Sequence, residues 1–282
     1  MALQVCKDID SIRQWVGKWR SNGETVGFVP TMGNLHAGHL HLVEQAQKRT
    51  DSVVVSIFVN PLQFGLGEDF NAYPRTVDKD RQKLEAFGVD LLFLPTNAGV
   101  FSNGASTTVA VGDLAGRHCG RSRPGHFSGV ATIVCKLLNI VQPNQLFLGE
   151  KDFQQLVLIR RMSEDLDLGV KIIACPIVRE KDGLAMSSRN VNLHGDERAR
   201  ALCLIKGLRR GKQLFTSGEK ASRRLCAVVH EELERANMQA DYVEIVASDT
   251  LQPLELAGEG ARIAVAASIG QVRLIDNLSL GD

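Results

Sequence analysis

The sequence predicts an α/β protein with a parallel-sheet N-terminal domain and a smaller α+β C-terminal domain. Short apolar runs alternate with helix-patterned segments through the first two thirds of the 282 residues, which is typical of parallel strands joined by helices. The apolar runs are rich in Val, Ile and Phe with little polar alternation, as expected for strands covered on both faces. After Pro176 the composition shifts to charged helical segments and short strands. We therefore predict one domain over residues 1–180 and a second over residues 181–282.

Each element is predicted from its own pattern of apolar residues. In the first domain, strands are expected at residues 25–30, 52–60, 89–94, 145–149 and 170–176. The helices expected there cover residues 9–20, 38–48, 76–87, 128–141 and 152–167. In the second domain, helices are expected at residues 195–216 and 218–237, and strands at 240–247, 261–267 and 272–275. Residues 96–123 are rich in glycine and irregular in pattern, which predicts a loop with a short strand.

Composition and charge argue against several classes of function. Hydrophobic residues make up 44% and charged residues 23% of the chain, as in an ordinary globular protein. The formal net charge is +1. The chain therefore has no excess of positive charge that would predict binding to nucleic acid or to a membrane surface. Six scattered cysteines without a C-x-x-C pair predict reduced thiols and a cytoplasmic location. No apolar run is long enough to span a bilayer.

The first candidate site follows the strand at residues 25–30. A short turn leads to His36-Ala37-Gly38-His39, where an amphipathic helical segment begins. Open α/β sheets bind ligands at the carboxyl ends of their strands, and a helix N-terminus offers backbone N–H groups to phosphate. Gly38 allows a nucleotide to approach the backbone, and two imidazoles on one helical turn can stabilise phosphoryl charge. This arrangement favours adenylyl transfer, and the alternative is a histidine that only caps the helix.

A second candidate follows the strand at residues 52–60. Asn60 and Gln63 would lie at the same edge of the sheet as the histidine pair. The Gln63 amide can both donate and accept hydrogen bonds, which suits a hydroxy acid. The alternative is a simple Asn-Pro turn without a ligand.

The third candidate follows the strand at residues 145–149. Lys151 is a point charge for a phosphate group, Asp152 could cap the next helix or hold a ribose hydroxyl, and Gln155 falls on the first helical turn. The alternative is a capped helix with solvated charges.

A polar loop near the domain boundary is the fourth candidate. Ser187, Ser188 and Arg189 follow a turn at Gly183, and two hydroxyls with a guanidinium suit a triphosphate clamp. A loop between domains also suits a lid that closes over ATP, whereas the alternative is an ordinary linker. Asp80 is a weaker candidate for reaching Mg²⁺ through the phosphates, and its alternative is a solvated carboxylate.

Taken together, these stretches resemble the pantoate–β-alanine ligase family. The resemblance extends from about residue 27 to residue 277 and rests on motifs in a fixed order. They are Pro30-Thr31-Met32-Gly33, His36-Ala37-Gly38-His39, Phe58-Val59-Asn60-Pro61 with Gln63, Tyr73-Pro74-Arg75-Thr76, Arg123-Pro124-Gly125-His126-Phe127, Gly149-Glu150-Lys151-Asp152-Phe153-Gln154-Gln155, Met186-Ser187-Ser188-Arg189-Asn190 and Arg273-Leu274-Ile275-Asp276-Asn277. Each motif alone is only suggestive, whereas all of them in this order are specific.

The resemblance implies a ligase of the His-x-Gly-His nucleotidyltransferase superfamily. Its Rossmann-like N-terminal domain would bind ATP and pantoate, its C-terminal domain would act as a lid, and the assembly would be a homodimer. ATP, Mg²⁺, pantoate and β-alanine are the implied ligands. The residues implied to contact ATP are Met32, Gly33, Asn34, Leu35, His36, Ala37, Gly38, His39, Gly149, Glu150, Lys151, Asp152, Val178, Met186, Ser187, Ser188 and Arg189. Gln63 matches the residue that meets both pantoate and β-alanine, Gln155 matches a second pantoate contact, and His39 matches the proton donor.

We expect a reaction in two steps, in which pantoate attacks ATP and β-alanine then attacks the pantoyl adenylate. His36, His39, Lys151 and Arg189 would stabilise the charge on the transferring phosphoryl group. Two other functions stay open at this point. One is a related nucleotidyltransferase that makes a dinucleotide or a CDP-compound, and the other is a non-catalytic module that senses ATP.

Overall fold

The computed structural model describes residues 3–65, 68, 70–101 and 103–281. Contacts between residues divide the chain into two units. The first comprises the described parts of Met1–Gly116, Arg123–Glu150 and Leu158–Pro176, and the second comprises Arg117–Ser122, Lys151–Val157 and the described part of Ile177–Asp282. The chain therefore passes to the second unit after Pro176, close to the predicted boundary. Two short segments within the first 180 residues also belong to the second unit.

A six-stranded parallel sheet forms the centre of the first unit. Its strands are β1 (Gln4–Cys6), β2 (Val26–Thr31), β3 (Ser52–Ile57), β4 (Leu91–Phe93), β5 (Gln145–Gly149) and β6 (Lys171–Cys175), in the order β1-β4-β3-β2-β5-β6. Neighbouring strands are parallel, so the predicted α/β architecture is confirmed. The chain runs outward from β2 through β3 to β4 and then returns to the other side of β2 with β5. The boundary between β2 and β5 is therefore a topological switch point.

Helices lie between these strands along the chain. They are α1 (Ile9–Ser21), α2 (Ala37–Gln47), α3 (Val77–Ala86), α4 (Asn97–Val100), α5 (Cys119–Ser122), α6 (His126–Val141) and α7 (Phe153–Asp165). Helix α2 packs against β2, β3 and β5, while α1 and α6 pack against each other and against β2. Val29 packs in one core cluster with Val43 of α2, and Phe28, on the opposite face of β2, is also fully buried. Strand β2 is therefore covered on both faces, as its uninterrupted apolar run predicts.

Several predicted elements differ from those in the structure. The strand predicted at 52–60 ends at Ile57, because Asn60 caps a 3-10 helix at Pro61–Gln63. Strand β1 was not predicted, since three residues are too few to show a period. The short strand predicted within residues 96–123 is wrong for the described residues, which form α4, α5 and a 3-10 helix at Gly112–Gly116.

Among its described residues, the part of the second unit that follows Pro176 contains a three-stranded antiparallel sheet and three α-helices. The strands are β7 (Gln239–Ala247), β8 (Ala261–Ile269) and β9 (Val272–Ser279), in that order, and the helices are α8 (Glu197–Ala201), α9 (Cys203–Thr216) and α10 (Ser222–Arg235). Helices α9 and α10 pack against each other, α10 contacts β7, and α9 contacts β8 and β9. The predicted helix at 195–216 is interrupted at Leu202, although the backbone there keeps helical dihedral angles. Strand β9 continues beyond the predicted end at residue 275, through two buried polar residues, Asp276 and Asn277.

In the part of the chain that the structure describes, no helix has the length and apolar character needed to cross a membrane.

Candidate active site

The loop after β2 carries the first candidate residues, and neighbouring side chains hold it. The hydroxyl of Thr31 donates to Ser56 O (2.8 Å) and accepts from the Gly33 N–H (3.1 Å). Gly33 has a φ of +85°, and a Cβ there would lie 3.0 Å from Ile57 Cγ2. A side chain at this position would be both strained and crowded. The loop therefore needs glycine where the motif has it.

Asp80 is fully buried beside this loop and anchors its backbone. Asp80 Oδ2 accepts from the Asn34 N–H (2.8 Å) and from the Thr76 hydroxyl (3.0 Å), and Oδ1 accepts from the Leu35 N–H (2.8 Å). Lys83 Nζ donates to Leu35 O on the same stretch of backbone (2.5 Å). The carboxylate is not solvated, in contrast to the alternative drawn from the sequence. These contacts give Asp80 a structural role in the loop, and its role as a magnesium ligand stays a prediction.

The histidine pair stands at the N-terminus of α2. His36 is the N-cap residue, and its Nδ1 accepts from the Gly38 N–H (3.1 Å), while His39 Nδ1 accepts from the His36 N–H (3.3 Å). The two rings are stacked, with centroids 4.0 Å apart. Because each Nδ1 accepts a hydrogen bond, each ring carries its hydrogen on Nε2. His36 therefore does cap the helix, as the alternative states. The cap also sets the tautomer that makes each Nε2 a donor.

Gln63 lies in the 3-10 helix at Pro61–Gln63. Asn60, which is 1% exposed, directs its Nδ2 to both Gln63 Oε1 and Gly129 O, each at 3.1 Å. Gln63 Nε2 donates to Met32 Sδ (2.9 Å). The amide of Gln63 is therefore oriented at both ends, and one end points to the segment predicted to bind ATP. These contacts go beyond the simple Asn-Pro turn of the alternative.

The backbone of Gln63 is held from the start of α6. His126 Nδ1 donates to Gln63 O at 2.7 Å, and Arg123 Nη2 donates to the same oxygen at 3.3 Å. Arg123 also forms a two-bond ion pair with Glu68 (2.6 and 2.8 Å), and these hydrogen bonds lower the pKa of the Glu68 carboxyl. The Arg-Pro-Gly-His-Phe motif thus positions Gln63.

A cavity of about 280 Å³ lies in the first unit next to this loop. Its lining includes Met32, Gly33, Phe58, Arg75, Asp80 and Leu94. These residues come from the loop after β2, from α3 with the segment before it, and from segments that follow β3 and β4. The cavity therefore opens at the carboxyl edge of the sheet, where doubly wound proteins bind ligands.

The segment after β5 places the next candidates mainly in the second unit. A 3-10 helix at Glu150–Asp152 leads into α7. The carbonyl of Lys151 accepts from Asn277 Nδ2 (3.1 Å). Gln155 is half-buried on the first turn of α7. Within the part of the chain that the structure describes, its side-chain amide makes no hydrogen bond with another side chain or with the backbone. Its amide is therefore able to bind a ligand.

Gln154 has a role that the sequence did not indicate. It is 7% exposed, its Oε1 accepts from the Cys119 N–H (3.1 Å), and its Nε2 donates to Arg117 O (2.6 Å). Gln154 thereby ties the Arg117–Ser122 segment to α7 inside the second unit. No local sequence pattern could predict this, because the partners are far apart along the chain.

The predicted triphosphate clamp follows a hairpin. The Met186 N–H donates to Val178 O (3.0 Å) across the hairpin. Ser187 then caps a 3-10 helix at Ser188–Asn192 by accepting from the Arg189 N–H (3.3 Å). The side chains of residues 187–189 are half-buried. The segment is therefore an ordered, capped turn, in contrast to the ordinary linker of the alternative.

Comparison with known proteins establishes the family. The family model described as pantoate-beta-alanine ligase matches residues 4–279. This chain belongs to the pantoate–β-alanine ligase family. Pantothenate synthetase from Heliobacterium modesticaldum is 51% identical over 275 residues, which are 96% of this chain and 98% of that protein. The resemblance stated from the motifs is thus confirmed, and with it the prediction of a ligase.

Solved structures of this family share the fold. Pantothenate synthetase from Thermus thermophilus is 43% identical and superposes with a TM-score of 0.94, covering 99% of this chain and 100% of that one. The pantoate-beta-alanine ligase from Francisella tularensis, solved in complex with beta-gamma ATP and beta-alanine, is 35% identical with a TM-score of 0.77 and covers 98% of this chain and 97% of its own. Family membership favours a ligase over both other functions left open by the sequence.

Proposed function

We propose that this chain condenses pantoate with β-alanine to pantothenate at the expense of ATP, through a pantoyl adenylate, with release of AMP and pyrophosphate. Family membership supports the two acids as substrates, and the Francisella tularensis relative was solved with an ATP compound and β-alanine. The observation that carries the adenylate route is the stacked His36–His39 pair at the N-terminus of α2. Imidazole N–H donors at the positive end of a helix suit charge that develops on a phosphoryl group.

In the first proposed step, a carboxylate oxygen of pantoate attacks the α-phosphorus of ATP. The bond from that phosphorus to the bridging oxygen breaks, and pyrophosphate leaves. In the second step, the β-alanine amine attacks the acyl carbon, the bond to AMP breaks, and the nitrogen loses a proton. No side-chain nucleophile is needed, because positioning and electrostatic stabilisation can supply most of the acceleration.

The roles proposed for individual residues follow from their chemistry. His36, His39, Lys151 and Arg189 would stabilise phosphoryl charge, with His39 as the proton donor. Gln63 and Gln155 would orient pantoate, and Gln63 would also meet β-alanine. We assign ATP contacts to residues 32–39, 149–152, 178 and 186–189. Because an acyl adenylate is prone to hydrolysis, we further propose that the 187–189 turn helps to keep water from it.

Mg²⁺ is proposed as a partner of ATP. Among the described residues, no group of three or more His, Cys, Asp or Glu side chains could hold a metal ion. Mg²⁺ commonly binds through substrate phosphates and water with few protein ligands. The ATP phosphates are therefore its proposed main ligands here.

A homodimer and a cytoplasmic location remain predictions. The first follows from the family resemblance. The second follows from the cysteine pattern, and all six cysteines are free thiols. Light scattering of the purified protein would measure the mass of the assembly directly.

Product analysis tests the proposed reaction. The enzyme is incubated with ATP, Mg²⁺ and pantoate, with and without β-alanine, and the nucleotide products are separated. We expect AMP and pyrophosphate, with net turnover that depends on β-alanine. ADP and phosphate would instead indicate an acyl-phosphate route and refute adenylation. Folded protein without turnover would favour a different acceptor or an ATP-sensing role.

A further inference from the structure

Two adjacent polar side chains on β9 are buried, and the proposed reaction does not use them. Asp276 and Asn277 are each 3% exposed. Strand β9 lies at the edge of its sheet and contacts the 3-10 helix at Ser188–Asn192. Successive side chains of a strand point to opposite faces, so two neighbouring residues can reach two different segments. Burying polar groups is costly unless they are hydrogen-bonded, and the partners of these two residues indicate what they do.

Asn277 holds the turn that carries Lys151. Its Oδ1 accepts from Arg262 Nη1 (2.6 Å), and its Nδ2 donates to Lys151 O (3.1 Å). The guanidinium can only donate, so it fixes which end of the amide is the oxygen and directs the NH₂ group to Lys151. The same guanidinium lies over the Phe153 ring, 4.0 Å from its centroid. Asn277 and Arg262 together therefore hold the 151–153 turn by its backbone and by an aromatic ring.

Asp276 holds the hairpin that leads to Ser187. Its two oxygens accept from Arg179 Nη1 (2.7 Å) and Nη2 (3.0 Å). Arg179 Nη1 also donates to Gly183 O at the turn (3.2 Å), and Arg179 pairs with Ala185 across the hairpin. A bidentate pair of this kind restrains orientation as well as distance. Asp276 therefore restrains Arg179, which directly follows Val178, and the turn of the same hairpin.

We propose that Asp276 and Asn277 are a pair of positioning residues that set the two ATP-binding segments of the second unit, at Lys151–Asp152 and at Met186–Arg189, in fixed geometry relative to each other. This inference rests on the proposed function, which assigns ATP contacts to both segments. The two anchors are consecutive residues of one strand, so a shift of β9 moves both segments together. Catalysis by positioning is sensitive to displacements of about 1 Å. A displacement of Asp276 and Asn277 would therefore affect the reaction through both segments.

The test separates the two anchors by nearly isosteric substitutions. Asn277→Asp keeps an acceptor for Arg262 but replaces the donor to Lys151 O with an oxygen. Asp276→Asn removes the charge that faces Arg179. Hydrogen exchange by mass spectrometry should show faster exchange mainly in residues 151–155 for the first variant and mainly in residues 178–190 for the second. In both variants kcat/KM for ATP should fall about 10- to 100-fold, while KM for β-alanine changes less than about 2-fold.

Two substitutions on the same strand serve as controls. Ser279→Ala removes a buried hydroxyl of β9, and Leu274→Ala shortens a core residue of β9. The second should lower the melting temperature, yet both should keep the wild-type KM for ATP. Wild-type KM for ATP and unchanged exchange in the Asp276 and Asn277 variants would overturn the proposal. So would a rise in KM for ATP in the Ser279 control as large as that in the Asp276 and Asn277 variants.

Failure of the proposed function gives a different result. If the wild-type protein makes no pantothenate, the reaction is wrong, and the exchange pattern still tests the two anchors. If the wild-type protein is active and both variants match it in ATP kinetics and exchange, the reaction stands and the anchors are wrong.

Discussion

Side chains that suggest chemistry in the sequence make specific hydrogen bonds to nearby backbone. His36 uses Nδ1 to cap α2, and Asp80 uses both oxygens on the loop after β2. For His36 the cap and the proposed chemistry use different atoms of one ring. For Asp80, the hydrogen bonds to this loop explain why the carboxylate is buried. Structural and catalytic roles must therefore be assigned to individual atoms of a side chain and not to the whole side chain.

Removal of a proposed charge-stabilising side chain should slow turnover without unfolding the chain. We expect His39→Ala and Lys151→Ala each to lower kcat by about 10²- to 10⁴-fold, the range for lost acid–base or electrostatic catalysis. His41→Ala, on the same helix, is the control and should keep wild-type kcat. Steady-state kinetics and melting curves measure both effects. Wild-type turnover in a folded variant would remove that residue from the mechanism.

Asp80→Asn distinguishes a loop anchor from a magnesium ligand. An amide cannot accept from all three of the present donors, so we expect a loss of about 1–3 kcal/mol in unfolding free energy and lower turnover. The Mg²⁺ concentration for half-maximal activity should stay unchanged. Asp78→Asn, an exposed acid on the same helix, should alter neither quantity. A several-fold rise in the Mg²⁺ requirement of the Asp80 variant would support the ligand role instead.

Short elements owe their positions to close packing with neighbours. The 3-10 helix at Pro61–Gln63 lies directly against α6, and a Cβ at Gly129 would stand 2.1 Å from Leu62 O. That distance is far below any contact a backbone oxygen allows, and Asn60 Nδ2 donates a hydrogen bond to Gly129 O. The position of Gln63 therefore depends on a glycine from a distant helix.

Gly129→Ala should displace the turn that carries Gln63. We expect a loss of about 1–3 kcal/mol in unfolding free energy from overpacking and a rise of roughly 10-fold in KM for pantoate. Gly17→Ala in α1 is the matched control, since a Cβ there meets nothing within 4 Å. It should stabilise the protein by about 0.5–1 kcal/mol. Chemical denaturation and kinetics measure both variants, and unaltered pantoate kinetics in the Gly129 variant would contradict the proposed role of the contact.

The second unit is assembled from three separate stretches of the chain. The Arg117–Ser122 stretch is attached to β7 through Glu244. Its Oε2 lies 2.6 Å from His118 Nδ1, and its Oε1 forms an ion pair with Arg121. Cys119 Sγ lies 3.3 Å from the Tyr242 hydroxyl. Charge pairing between distant stretches thus helps to complete this unit.

The stability of this attachment should depend on pH. The close contact with the His118 ring, followed by that with Arg121, lowers the pKa of the Glu244 carboxyl, so the folded state favours the ionised carboxyl. Its contribution is fully present above the unfolded pKa of about 4.3 and is lost as the pH falls through the lower, folded value. We expect Glu244→Gln to lower the free energy of unfolding by about 1–3 kcal/mol at pH 7. The loss should become progressively smaller below about pH 4. Urea unfolding of both proteins across pH measures this difference, and a gap that stays constant into acid would contradict it.

The sequence alone predicts the family, the order of most helices and strands, and the motifs of the site. These depend on local patterns, such as the apolar run of β2 and the histidine spacing that follows it, which neighbouring residues specify. The roles of Asp80, Gln154 and Asn277 could not be predicted in this way. Asn277 and Lys151 are 126 positions apart, and Gln154 is 35 positions from Cys119. Hydrogen bonds over such separations leave no period in the sequence, because folding of the whole chain is what brings the partners together.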